Sequence, residues 1–221
     1  MNLDDITLVY YTANRVGEFF ANNVRRHLLG LLDGTRLISV SQKPIDFGEN
    51  ICVGDIGYST VNVYKQILVG AKLVKTRYVG CCEDDTLYNK EHFSYRHPTE
   101  AFVYNANNYR VRVNGFWHKR NRKGMYSCIA PTELLIKTLE HRFSVYPDGH
   151  GSMGFGEPGK FEHMVGLPPV PYTGFTTEPP ILTFSHRPSL SGVRRFLPTD
   201  TFVEELPFWG RAEDLWKEFY G

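Results

Sequence analysis

The sequence predicts an α/β fold: a single-domain chain with a mostly parallel central sheet and flanking helices, followed by a β-hairpin and a loop-rich second half. Two observations predict the first part. ITLVYYT (6–12) and TRYVGCC (76–82) are continuous apolar runs, as expected of strands covered on both faces. Between them the pattern alternates strand, helix, strand, helix, strand within 88 residues, the order that gives βαβ units. The third observation concerns the remainder, where an Asn114-Gly115 turn signal and many Gly and Pro residues replace that regularity.

The elements follow in order. Thr12 and Asn14 offer N-caps to a helix from Val16, with Phe19, Phe20, Val24, Leu28 and Leu31 at helical spacing and Gly34 as its stop. RLISVS (36–41) reads as the second strand, and Pro44, Gly48, Gly54 and Gly57 mark a loop after it. Ser59 caps a helix over 60–74 with Val61, Leu68 and Ala71 on one face. AFVYNANNYRVRV and GFWHKRNRKGMYSCI read as hairpin arms around the Asn-Gly turn. Pro131 and Thr132 open a helix carrying Leu134, Leu135 and Leu139. Residues 146–180 read as long loops around one short helix, 181–185 as a last strand, and GRAEDLWKEFYG as a short amphipathic helix.

Composition narrows the class. At 221 residues, 42% hydrophobic and 22% charged, the chain is an ordinary folded protein of one sizeable domain rather than a disordered one. A formal charge of +1 gives no global attraction to nucleic acid or membrane, so any such attraction is local. No stretch reaches the roughly 18 to 20 apolar residues of a membrane span, and the first residues lack a secretion signal, so a cytoplasmic location is expected. Cys52, Cys81, Cys82 and Cys128 form no CxxC pair and read as reduced packing residues. Gly154, Gly156 and Gly159 match GxGxxG, but no strand precedes them and Pro158 lies within, so they read as a loop.

Chemistry concentrates at Glu83, Asp84 and Asp85, which end the third strand. Ligands of open parallel sheets bind beyond the carboxyl ends of strands. Three adjacent carboxylates repel, and burial raises their pKa values unless a cation compensates them. Mg²⁺ or Mn²⁺, held by one or two carboxylates and substrate phosphates, is the natural partner, and a solvated acidic turn is the plain alternative.

VNVYKQILVGAKLVKTRYVGCCEDDTLY resembles the helix and strand that precede the DxD motif in nucleotide-sugar glycosyltransferases of the A-type fold, over about residues 5 to 145. The resemblance implies a nucleotide-binding half (1–88), with a Rossmann-like arrangement, and an acceptor-side half (89–221). It implies a UDP-linked sugar donor, nucleotide contacts at Tyr11, Thr12 and Asn14, Asp84 on the ribose or the metal, and a metal on Asp85 with Glu83 and His186 as further ligands. Arg15 and Asp55, in the glycine-bounded VGDIG, are added as nucleotide contacts. Inverting members carry an acidic base late in the chain. Glu162 is the nearest match and Asp148 a weaker one; if neither serves, a retaining mechanism follows.

Residues 110–123 hold Arg110, Arg112, Lys119, Arg120, Arg122 and Lys123 around Trp117 and His118. Such a hairpin can grip phosphates and stack a base, or be a solvated tip. If it binds, the acceptor is DNA or another anionic molecule; a modified nucleobase of viral DNA would fit, and the location would then be the host cytoplasm. Two other readings stay open. Nucleotidyl transfer on a related fold usually has a glycine-rich loop after the first strand, where YYTANRVGEFF has one Gly. A non-catalytic nucleic-acid-binding module would use the hairpin alone. The sugar, the acceptor and the oligomeric state are not specified by these patterns.

Overall fold

The computed structural model describes residues 3–118, 122–151, 154–186 and 200–221. Its first 88 residues build β1 (Ile6–Thr12), α1 (Glu18–Leu32), β2 (Leu37–Ser41), β3 (Glu49–Cys52), α2 (Thr60–Ala71), β4 (Tyr78–Glu83) and β5 (Thr86–Leu87). β1 is buried along its whole length and pairs in parallel with β2 on one side and β4 on the other. Alternate residues feed opposite layers: Leu8 and Tyr10 pack with Leu28 of α1, while Val9 and Tyr11 pack with Tyr64 and Ile67 of α2. Continuous apolar strands are required because both faces are covered. Cys82 and Cys81 divide between the same two layers.

Two expectations change in this half. The cap of α1 is Gly17, not Thr12 or Asn14. Asn14 instead takes a left-handed conformation (φ 53°), and its Oδ1 accepts the backbone N–H groups of Gln42 and Lys43, at 2.9 and 2.8 Å. The region expected to be loop after β2 contains β3, a partly exposed strand of mixed residues, Glu-Asn-Ile-Cys, held by backbone pairing to β2 rather than by an apolar pattern. Ser59 does cap α2, accepting from the Asn62 N–H.

The second half contains α3 (Lys90–Ser94), β6 (Phe102–Asn105), β7 (Asn108–Arg112), β8 (Gly115–His118), a 3-10 turn (Met125–Ser127), β9 (Cys128–Pro131), α4 (Thr132–Val145), α5 (Lys160–Val165), β10 (Tyr172–Phe175), β11 (Ile181–Phe184), β12 (Thr201–Val203), β13 (Glu205–Leu206), β14 (Gly210–Arg211) and α6 (Ala212–Tyr220). The main sheet runs β10-β6-β9-β4-β1-β2-β3, with β9 alone antiparallel to its neighbours among the described residues. The second sheet runs β12-β8-β7-β11-β5.

AFVYNANNYRVRV is therefore not one arm but two strands in different sheets. Asparagines make the break: the Asn107 N–H donates to Asn105 Oδ1 (2.9 Å) and Asn108 Nδ2 donates to the Asn105 carbonyl (2.8 Å), a side-chain-built turn. The hairpin itself closes with Arg112 opposite Gly115, so its turn residues are Val113 and Asn114. Thr132 bonds the Thr76 carbonyl rather than capping α4. β10 and β12 to β14 are short additions, and ILTFS is not the final strand. α6 lies over α1 and β11, where Leu215 and Phe219 join Phe20, Val24 and Phe184 in a third apolar cluster.

Candidate active site at the carboxyl end of β4

Glu83 is the last residue of β4, and Asp84 and Asp85 make the turn into β5. The adjacent end of β1 supplies partners. The Tyr11 hydroxyl donates to Glu83 Oε1 (2.8 Å), and Thr12 Oγ1 donates to Asp84 Oδ2 (2.5 Å). Thr12 Oγ1 also accepts the Asn14 N–H at 2.8 Å, linking the carboxylates to the following loop. Asp85, 6% exposed, accepts from Thr86 Oγ1 on Oδ1 (3.2 Å), and its Oδ2 lies 3.0 Å from His186 Nε2, just past β11. Residues 101 positions apart thus meet because β11 pairs with β5.

The electrostatics are those of a crowded anion site. Burial, then the Asp85 charge, push Glu83 up to about 8 against the hydrogen bond from Tyr11. Burial and Asp85 likewise raise Asp84 to about 6, against the bond from Thr12. Burial alone would lower His186, but the hydrogen bond and charge of Asp85 more than reverse it, and its pKa is raised. Arg110 offsets part of the negative charge: it is 7% exposed, and its field lowers Glu83.

Beside the cluster, Ala13, Asn14, Arg15, Gln42, Lys43, Asp55, Gly57 and Tyr58 line a cleft of about 560 Å³. Arg15 stacks over the Tyr58 ring, 4.8 Å from its centroid. Burial and the charges of Asp84, Asp85 and Glu83 raise the Tyr58 phenol, so the cleft and the cluster are neighbours. Asp55 Oδ1 accepts the Gly57 N–H at 3.0 Å, which shapes the cleft wall. Gln66 of α2 braces the strands that lead into the cleft: its amide donates to the Thr12 carbonyl (2.9 Å) and the Val40 carbonyl (2.8 Å), joining the ends of β1 and β2.

The predicted residues therefore separate into groups. Glu83, Asp84, Asp85 and His186 come together, Asn14, Arg15 and Asp55 line the cleft, and Tyr11 and Thr12 hold the carboxylates instead of facing the cleft. Arg110 is not on a solvated tip but buried near Glu83. Arg112, Trp117 and Arg122 are partly exposed, while Lys119 and Arg120 lie outside the described residues. Tyr58, Gln66 and Lys43 were missed; a polar Gln at an inward helical position of α2 was the available signal.

The two candidates for a base sit elsewhere. Glu162 is 2% exposed; its Oε1 takes Arg142 Nε at 2.5 Å and its Oε2 takes the Gly159 N–H at 2.6 Å. Both oxygens of that carboxylate are engaged, one of them in a buried ion pair, an arrangement unlike that of a base open to an acceptor hydroxyl. Asp148 lines a different cleft, of about 360 Å³, with Ser59, Thr60, Asn62 and Lys65 at the start of α2. Among the described residues no group of three or more His, Cys, Asp or Glu side chains is arranged to hold a metal. Nor is any helix among them long and apolar enough to cross a membrane.

No protein-family model matches the chain, and no curated protein matches its sequence. Solved structures do. GlyE, a glycosyltransferase of Streptococcus pneumoniae TIGR4, superposes with a TM-score of 0.56 at 10% identity, covering 98% of this chain and 60% of that one. A glycosyltransferase involved in glycosylation of the major capsid of PBCV-1 gives 0.51 at 8% identity, covering 80% of this chain and 91% of that one. The bifunctional IspDF of Campylobacter jejuni gives 0.48 at 11% identity, covering 79% of this chain and 50% of its own length. The chain thus spans about half of IspDF and 60% of GlyE. At these identities the likeness is one of fold: the chain has the mixed α/β architecture, mostly parallel sheet with flanking helices, of the glycosyltransferases it superposes on.

Proposed function

We propose that the chain is a metal-dependent glycosyltransferase, moving a sugar from a nucleotide-diphosphate donor, UDP-linked, to an acceptor hydroxyl. One observation carries the reading: an anion-rich strand end, with Asp85 and His186 3.0 Å apart, opens beside a cleft formed by the loop after β1. The fold shared with glycosyltransferases supports it.

The donor set fits a hard divalent ion in the mode that uses one or two protein ligands plus substrate phosphates, not an all-protein cage. Asp85 and His186 would hold Mn²⁺ or Mg²⁺; such an ion supplies Lewis-acid stabilisation of a departing diphosphate. Glu83, tied to Tyr11 with a raised pKa, is a weaker ligand than the expectation made it. The chain's own groups do the rest. Tyr58 and Arg15 offer a stacking surface and a cation to the nucleotide, with Lys43 and Asp55 across the cleft. Arg112, Trp117 and Arg122 face an anionic acceptor, DNA among the candidates, and a gel shift with duplex DNA that survives Arg112→Ala with Arg122→Ala counts against that acceptor.

Thermal unfolding with Mn²⁺ and a panel of nucleotide sugars tests the donor reading. One of them is expected to raise the midpoint, by about 2.7 kcal/mol of stability at a hundredfold excess over Kd. The gain should disappear with chelator and in Asp85→Asn. No stabilisation by any nucleotide sugar, or full retention in Asp85→Asn, overturns the reading.

A further inference from the structure

The helix α6 brings one unexplained polar group to the carboxylate cluster. The Tyr220 hydroxyl oxygen is buried and has no hydrogen-bond partner among the described residues. A buried hydroxyl left unpaired is unfavourable, and native structures rarely keep one without a reason. The ring cannot turn away to solvent, because it is stacked on both sides. Phe20 lies 4.3 Å away at 26°, and Trp216, one helical turn earlier, lies 4.4 Å away at 12°. Phe184 closes a third side at 5.9 Å.

The same Phe20 ring sits 6.0 Å from the His186 ring, and His186 Nε2 is 3.0 Å from Asp85. Tyr220 is thus one aromatic ring removed from the Asp85–His186 pair. Burial and the charges of Asp85 and Asp84 raise its pKa, so at neutral pH the phenol keeps its proton and can act only where a hydrogen-bond acceptor arrives. Asp85 is not that acceptor in this arrangement: its oxygens take Thr86 and His186, and no hydrogen bond joins it to Tyr220.

We infer that α6 is a wall of the donor site, and that the Tyr220 hydroxyl donates a hydrogen bond to an anionic oxygen of the ligand bound at Asp85 and His186. This rests on the glycosyltransferase reading and extends it. The ligand class is a nucleoside diphosphate or its sugar ester, whose phosphoryl oxygens supply the missing acceptor. A charge-assisted bond of this kind is short and stronger than a neutral one. It also explains why a helix far along the chain packs its aromatic face on α1 directly beside His186.

The test compares wild type, Tyr220→Phe and Asp85→Asn, titrated calorimetrically with UDP, GDP, CDP and ADP in the presence of Mn²⁺, with thermal unfolding recorded without nucleotide. Tyr220→Phe keeps the stacked ring, so the ligand-free midpoint should be unchanged or slightly higher. Affinity for the preferred diphosphate should fall about ten- to a hundredfold, the loss of one bond to a charged group. If wild type binds, Asp85→Asn does not, and Tyr220→Phe binds as wild type does, this inference is overturned while the functional reading stands. A lower ligand-free midpoint in Tyr220→Phe would reveal a structural partner and overturn it too. If wild type binds none of the four, the functional reading fails and the inference with it.

Discussion

Among the described residues two acid–base pairs are buried, Asp85–His186 and Glu162–Arg142, and they are built on opposite principles. Glu162 and Arg142 balance one charge with one charge, and most of their remaining valences are met nearby: Arg142 Nη1 donates to the Gly156 carbonyl at 2.7 Å, and the Gly159 N–H donates to Glu162, while Arg142 Nη2 has no hydrogen-bond partner among the described residues. The guanidinium lies against the rings of Phe161, Tyr64 and Phe155, at 4.5, 5.2 and 5.6 Å. Asp85 and His186, in contrast, sit among surplus anions, and the surplus appears as the raised pKa values of Glu83 and Asp84. A neutralised pair holds a loop. On the proposed reading, an unbalanced cluster at a strand end would take a cation that comes from outside.

That contrast can be broken by mutation. Glu162→Ala leaves a buried guanidinium without its counter-charge and should lower stability by about 3–5 kcal/mol in urea unfolding. A loss below about 1 kcal/mol would mean that the pair is not structural. A third buried group, His92, sharpens the comparison because it has no counter-charge. Burial lowers it to about 3, and it stacks on Phe175 at 5.6 Å with Asn105 Nδ2 3.4 Å from its Nδ1. Its folded pKa lies below the ordinary 6.5, so the unfolded chain binds the extra proton first. Stability is fully present above about pH 6.5 and falls as the pH drops toward 3, with a limiting slope of about 1.4 kcal/mol per pH unit. The contribution of His92 to that loss between pH 6.5 and 5 should approach about 2 kcal/mol, and because the raised carboxylates Glu83 and Asp84 shift stability the other way over this range, it is read as the difference between wild type and His92→Phe. The smallest effect is expected at the cluster itself. In metal-free protein, Asp85→Asn relieves repulsion as it weakens the bond to His186, leaving stability unchanged or raised by less than about 1 kcal/mol. A large destabilisation there would make Asp85 a structural residue like Glu162.

The legible parts of the fold were those that physics writes locally. β1, β4 and α2 could be read because two-faced burial demands unbroken apolar strands and Ser59 marks its helix. β3 was invisible because backbone pairing to β2 holds its mixed residues. The split between β6 and β7 was hidden in an asparagine run whose side chains make the turn. At the candidate site, the strand-end carboxylates could be read from chain position, and His186 from a resemblance. The confinement of Glu162 could not be read, since its partner lies 20 residues earlier on α4. Arg110 looked like one of six solvated cations, yet alternation along β7 sends Val111 into an apolar cluster and leaves Arg110 buried near Glu83.

Gln66 has a consequence for kinetics. Its single amide joins the ends of β1 and β2, which lead into the cleft residues Ala13 and Gln42, to α2. The strand ends that carry the cleft are therefore braced in the absence of a ligand. Association should then proceed in one concentration-dependent phase, without a preceding isomerisation. Gln66→Leu, which cuts both links, should introduce a slower, concentration-independent step.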